Sequence, residues 1–250
     1  MTTSSNTTSG TEANNTAAPQ TGQVLVWDLW VRVTHWLLVL TVAGAWATRK
    51  LPGDWFQLHT WLGYSTFVLV ATRLAWGFVG TRHARFSQFV RGPGAIRRYV
   101  SSLLAGRAVP TAGHNPLGAL SVLILLGLLL GQASTGLFAS DADVFEYGPL
   151  AGYVATATSR AVTGWHEEIA EIMLVFIGLH VLVVLAHLLV KRENLIWPML
   201  TGRKSADQVP AGEGIAGSRL WLALIIVALS GMALAWAVRS APVAEPAYLF

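Results

Sequence analysis

The chain has 250 residues, 53% of them hydrophobic and only 12% charged, with seven histidines and no cysteine. A soluble domain carries about 25% charged residues, so this is an integral membrane protein. The absence of thiols excludes disulfides, thiolate metal centres, iron–sulfur clusters and covalently attached haem. The net charge of +4 comes from loops rather than from a basic groove, which argues against nucleic acid as a partner.

Residues 1–22 (MTTSSNTTSGTEANNTAAPQTG) hold almost no large apolar side chain. They cannot bury enough surface to offset the entropy of ordering, and a disordered tail is expected. The tail lacks the basic start and apolar core of a signal peptide. Five apolar spans are predicted after it, at 30–48, 58–79, 117–138, 166–190 and 220–238, each near the ~20 residues a bilayer requires. The loops after spans two and four carry eleven Lys and Arg against four at the other ends. The positive-inside rule then predicts a cytoplasmic N-terminus and a periplasmic C-terminus. Eleven tryptophans suit the aromatic belts at the two lipid–water interfaces.

Between spans two and three, Ile96, Tyr99, Val100, Leu103 and Leu104 recur with helical spacing around Arg97 and Arg98. This pattern predicts an amphipathic helix over 94–106, lying on the membrane lipid at the cytoplasmic face or offering a docking surface. The outer loop between spans three and four is mildly acidic, with Asp141, Asp143 and Glu146 against Arg160. Such a surface can steer a basic partner or simply be solvated.

Ionisable residues inside spanning helices are costly and mark function by default. Span four carries two of them, His166 and His180, fourteen residues apart. At 100° per residue that is four turns less about 40°, so both share one face, roughly 21 Å apart along the axis. Span one places His35 inside its cytoplasmic boundary, and span two places His59 near its outer boundary. Depth therefore proposes two pairs, His59 with His166 outside and His35 with His180 inside. His187 lies seven residues beyond His180 on nearly the same face, so it competes for the inner pairing or serves as a neighbouring donor or quinone contact. Two neutral imidazoles on facing helices can take both axial positions of a haem iron, an arrangement suited to electron transfer.

Arg73, within span two, needs an anion, either a haem propionate or a lipid phosphate. Arg32 is expected at the interface. Glu167, Glu168 and Glu171 open span four, where helix polarity alone favours them; Glu167 or Glu168 can also orient an imidazole or relay a proton. His83 and His114 fall in the cytoplasmic loop and are expected to be non-ligands, with His114, Asn115 and Pro116 forming the turn into span three. Gly44, Gly63, Gly127, Gly131 and Gly136 allow close approach of helices or of a flat macrocycle. Gln132 is a polar candidate for hydrogen bonding to a quinone or a neighbouring helix.

The stretches VWDLWVRVTHW, HTWLGYSTFVLVATRLAWGFVGTRHARFSQFV, GHNPLGALSV, WHEEIAEIMLVFIGLH and KRENLIWPMLTGRK together resemble the prokaryotic cytochrome b561 family. That family is related to the b-type cytochrome subunit of nickel–iron hydrogenases. The resemblance covers roughly 24–204. It implies a four-helix membrane bundle in the bacterial inner membrane, holding two non-covalent haem b groups. By the family pattern their iron ligands are His35, His59, His166 and His180. It also implies electron transfer between membrane quinones and a redox partner, which in the family is a hydrogenase, a cytochrome c or a diffusible oxidant. Beyond it lie a Gly-rich linker over 205–218, a fifth span within 219–239 and a short tail over 240–250. The fifth span, free of ionisable side chains until its end, is expected to pack on the bundle or on a partner subunit, and a homodimer is among the expected assemblies. The rival readings are a histidine-based carrier of metal ions and an anchor that only tethers a redox complex.

Overall fold

The computed structural model describes residues 22–107, 111–141 and 145–244. The expected disordered tail, save Gly22, lies outside the described residues, as do Asp143 of the acidic loop and the end of the C-terminal tail. Among the described residues, five helices are long and apolar enough to cross a membrane: α1 (Leu29–Lys50), α2 (Phe56–Val79), α5 (Pro116–Phe138), α6 (Thr156–Leu189) and α8 (Leu220–Arg239). The chain is an all-α membrane protein. Shorter pieces join them: β1 (Gln23–Leu25), α3 (Phe86–Phe89), α4 (Pro93–Leu104), β2 (Ser140–Asp141), β3 (Glu146–Tyr147), α7 (Ile196–Thr201) and β4 (Arg203–Ser205).

The helix starts follow local chemistry. Asp28 caps α1, its Oδ1 accepting the Val31 N–H at 2.8 Å, and Asn115 caps α5 with Pro116 in the first turn. Both caps satisfy backbone donors that a helix start leaves open. Span four is longer than its hydropathy indicates, because α6 starts ten residues before His166, at Thr156. This polar extension is held from the side: Ser159 donates to the Phe138 carbonyl at 2.5 Å, and Thr163 donates to the Ser140 carbonyl at 3.0 Å. Hydropathy reports what lies in lipid, and this part of the helix is fixed by hydrogen bonds instead.

The helices pack in sequence, α1 on α2, α2 on α5 and α5 on α6, and α8 lies against α2. By contrast, α6 has no extended backbone packing on either α1 or α2. Side chains bridge the gap at mid-height, where Val70, Leu129 and Met173 are buried with Leu38, Val42 and Ile177 around them.

One end of the bundle, which carries most of the Arg and Lys, is closed by a clasp. β1 pairs antiparallel with β4, Val24 opposite Lys204, and the Val26 and Trp27 N–H groups both donate to the Gly202 carbonyl. Gly202 has φ +82°, and a Cβ there would lie 2.7 Å from the Trp27 carbonyl oxygen, so the turn requires glycine. The stretch expected as a linker takes part in this clasp. Val209 is buried with Trp27, Trp30 and Trp76, and Ile215 N–H donates to the Leu25 carbonyl. Composition alone hides this, because the partners lie about 180 residues away in the chain.

Candidate functional site

The four histidines of the spans come together as two pairs at two levels. Toward the far end, the His59 ring on α2 and the His166 ring on α6 have centroids 6.2 Å apart and planes at 85°. Toward the basic end, His35 on α1 and His180 on α6 have centroids 6.4 Å apart and planes at 55°. Each pair crosses the gap that separates α6 from α1 and α2. Metal–imidazole bonds of about 2 Å put each ring centre about 3 Å from a metal, so two rings sharing one ion have centroids about 6 Å apart. Both pairs meet that spacing. Met173, seven residues from each α6 histidine, belongs to the apolar layer between them.

The far pair is held in a defined tautomer. His59 Nδ1 lies 3.0 Å from the Ala45 carbonyl, which can only accept, so Nδ1 carries the proton; Thr48 Oγ1 is 3.2 Å away. His166 Nδ1 likewise donates to the Gln132 carbonyl at 3.0 Å, with Thr135 Oγ1 at 3.2 Å. Both rings then keep an Nε2 lone pair for a metal, the arrangement in which a carbonyl orients a ligand imidazole and raises its basicity. The Gln132 side chain places Nε2 3.0 Å from His166 Nε2, while its Oε1 is buried without a partner. Behind His166 lies Gly136, where a Cβ would sit 2.9 Å from the ring Cε1.

At the basic level, His35 Nδ1 is buried and unpartnered. His187, the competing candidate, is turned to Glu193, its Nδ1 2.9 Å from Oε2, which leaves His35 facing His180. Arg73 is buried at 6% exposure. Its Nη1 is 3.4 Å from the Ala84 carbonyl and its guanidinium lies 5.8 Å from the Phe86 ring centre. The Asp28 carboxylate is in electrostatic range, and it also accepts from Trp76 Nε1 at 3.1 Å and from the Thr81 hydroxyl. Glu167, Glu168 and Glu171 are exposed, and a backbone carbonyl rather than an acid orients His166.

Of the two loop histidines, His83 is buried and His114 half-buried, with its Nδ1 buried. His83 Nε2 lies 2.7 Å from the Glu213 carbonyl. His114 is wedged between Trp27 and Phe89, with ring centroids at 4.7 and 4.6 Å. Burial first, then the neighbouring Arg73, His83 and Lys204, pull the His114 imidazole down to about 3. Burial also lowers Lys204, whose Nζ donates to the Thr111 carbonyl at 2.9 Å. The residues that orient the far imidazoles act mostly through main-chain carbonyls, which leave no mark in the side-chain pattern.

The sequence profile of the prokaryotic cytochrome b561 family matches residues 26–202, which include all four paired histidines. The chain belongs to the prokaryotic cytochrome b561 family. It is also similar to the "Probable Ni/Fe-hydrogenase B-type cytochrome subunit" of Rhizobium leguminosarum bv. viciae, at 26% identity over 226 residues, covering 77% of this chain and 93% of the relative. No solved structure matches the chain. Membership makes this a multi-pass membrane cytochrome of electron transport, and a b-type cytochrome carries non-covalent haem. The donor set agrees: far-pair imidazoles whose Nδ1 protons are taken by carbonyls, leaving Nε2 as the ligating atom, no thiol among the side chains, and a gap across which α6 has no extended backbone packing on α1 or α2.

Proposed function

We propose that this cytochrome binds two b haems, one held by His59 and His166 and one by His35 and His180, and passes electrons between the quinone pool and a redox partner. The observation that carries the reading is the pair of imidazole couples, each about 6 Å across and at separate levels of one gap. Haem held by each couple would supply one-electron iron chemistry. The chain's own residues fix the tautomers of His59 and His166, keep water out with the apolar layer around Met173, and place Arg73 near the inner couple to receive a propionate. The similarity to a hydrogenase cytochrome subunit supports a hydrogenase as partner, with a cytochrome c or a diffusible oxidant as the other choices. The excess of Lys and Arg at the clasp end supports a cytoplasmic N-terminus and a periplasmic far end in the bacterial inner membrane.

A metal-ion carrier fits less well. Among the described residues no group of three or more His, Cys, Asp or Glu could hold a metal ion. Two imidazoles leave a bare cation short of ligands, whereas a porphyrin supplies the rest.

The test is a pyridine haemochrome assay with reduced-minus-oxidised spectra on the full chain in detergent. Two haem b per chain are expected, and fewer would defeat the reading. His59→Ala and His166→Ala should each remove the same single haem, and His35→Ala and His180→Ala the other. Full haem content in any of the four would overturn the ligand assignment. A soluble quinol analogue should reduce both haems in the wild type; inert haems would remove the quinone from the scheme.

A further inference from the structure

Seven buried side-chain atoms among the described residues have no hydrogen-bond partner, and five of them lie at the basic end: Trp30 Nε1, Arg32 Nε, His35 Nδ1, Arg85 Nε and His114 Nδ1. All are nitrogens that can donate. A buried donor without an acceptor is destabilising, so a cluster of them calls for acceptors. Asp28 is the one buried carboxylate among the described residues, and its oxygens are already engaged by Val31, Trp76 and Thr81. Arg73 and Lys204 add two cations at 6% and 8% exposure. Both stand within electrostatic range of His114, as does His180 of the inner couple. Unmet donors and two buried cations gather at the basic end, where the acids in range, Asp28 and Glu193, already accept hydrogen bonds. The two cations are buried, which disfavours a lipid headgroup as their counter-ion.

We propose that Arg73, His114 and Lys204 form a closed receptor for the two propionates of the haem held by His35 and His180. The inference rests on the dihaem reading. It gives a role to His114, which sequence places in a connecting loop, and it distinguishes the two sites: among the described residues the far couple has no comparable group of buried cations.

The experiment is a redox titration of the full holoprotein, followed spectrally. Arg73→Gln and His114→Phe are compared with wild type; the phenylalanine keeps the packing between Trp27 and Phe89 and deletes the donor. Each should lower the midpoint potential of one haem, or release that haem selectively, with the other unmoved; Arg73→Lys should shift less than Arg73→Gln. Combining either with His166→Ala identifies the affected haem as the inner one. A second measurement needs no substitution. Full-length apoprotein should take haem b at both levels but the dimethyl ester of haem b only at the far one. The proposal is overturned if both variants keep two haems at wild-type potentials, or if the ester fills the inner site as well as haem b does. Wild type with fewer than two haems would instead show that the dihaem reading has failed, before any variant is made.

Discussion

Gly136→Ala isolates the packing behind one ligand. A Cβ at this position would lie 2.9 Å from His166 Cε1 and 3.3 Å from Nδ1. Carbon–carbon contacts settle at about 3.5–4.0 Å, so the ring must retreat by roughly 0.6–1.1 Å. That retreat works against the 3.0 Å bond from His166 Nδ1 to the Gln132 carbonyl. Overpacking of this size costs about 1–3 kcal/mol, which corresponds to roughly 5- to 150-fold in haem affinity at the far site. The same change raises helix propensity by about 1 kcal/mol, which offsets only part of that cost, so the variant should melt at or somewhat below the wild-type temperature while holding the far haem more weakly. Gly127→Ala is the control: it lies on the same helix and has nothing within 4 Å of its Cβ. Full-length apoprotein in detergent is titrated with haem and followed by its Soret band. Wild-type affinity at both sites in Gly136→Ala, or equal weakening in Gly127→Ala, would refute the steric argument.

Asp28→Ala removes the α1 cap and the acceptor for Trp76 and Thr81, and leaves Arg73 without its nearby anion. Breaking such a buried set should cost about 3–5 kcal/mol, read as a lowered denaturation midpoint. In the haem-free chain His114 stands at about 3 against an ordinary 6.5. Between those values the unfolded chain binds more protons, so stability rises with pH and falls on acidification. The melting temperature should drop from about pH 7 to about pH 4, and His114→Phe should flatten part of that slope. The two haems should also differ in midpoint potential, the far one lower, and coincident potentials would count against the electrostatic contrast between the sites.

The spans and their histidines were legible because an imidazole stands out in an apolar run, and depth follows from counting residues. Reading stopped where geometry depends on distant chain. His180 and His187 differ by only about 20° around the helix, so face and depth left both open for His35; the turn at Glu193 separates them by engaging His187. The start of α6 was missed because its polar extension is held by Ser159 and Thr163 rather than by hydropathy. The Ala45 and Gln132 carbonyls, which orient the far imidazoles, could not be read from side-chain types at all. His114 looked like an ordinary turn residue, since Trp27 and Phe89 meet around it only when the clasp closes.

The two couples use the same side chains but different supports, and the difference has a direction. At the far level, carbonyl acceptors on His59 and His166 enrich the imidazoles in electron density, which would favour the oxidised state of a haem iron held there. At the basic level, Arg73 and Lys204 are buried within electrostatic range of His114, as is His180 of the inner couple, and positive charge in a low-dielectric setting would favour the reduced state of a haem there. If each couple holds a haem, as proposed, both effects would make transfer from the far level toward the basic end downhill. The apolar layer of Val70, Leu129 and Met173 keeps water and ions from screening that difference, because charges buried in protein are screened far less than exposed ones. Holding α6 off α1 and α2 therefore does two things: it leaves room for planar groups between imidazoles, and it sets the two levels in unlike electrostatic surroundings within one gap.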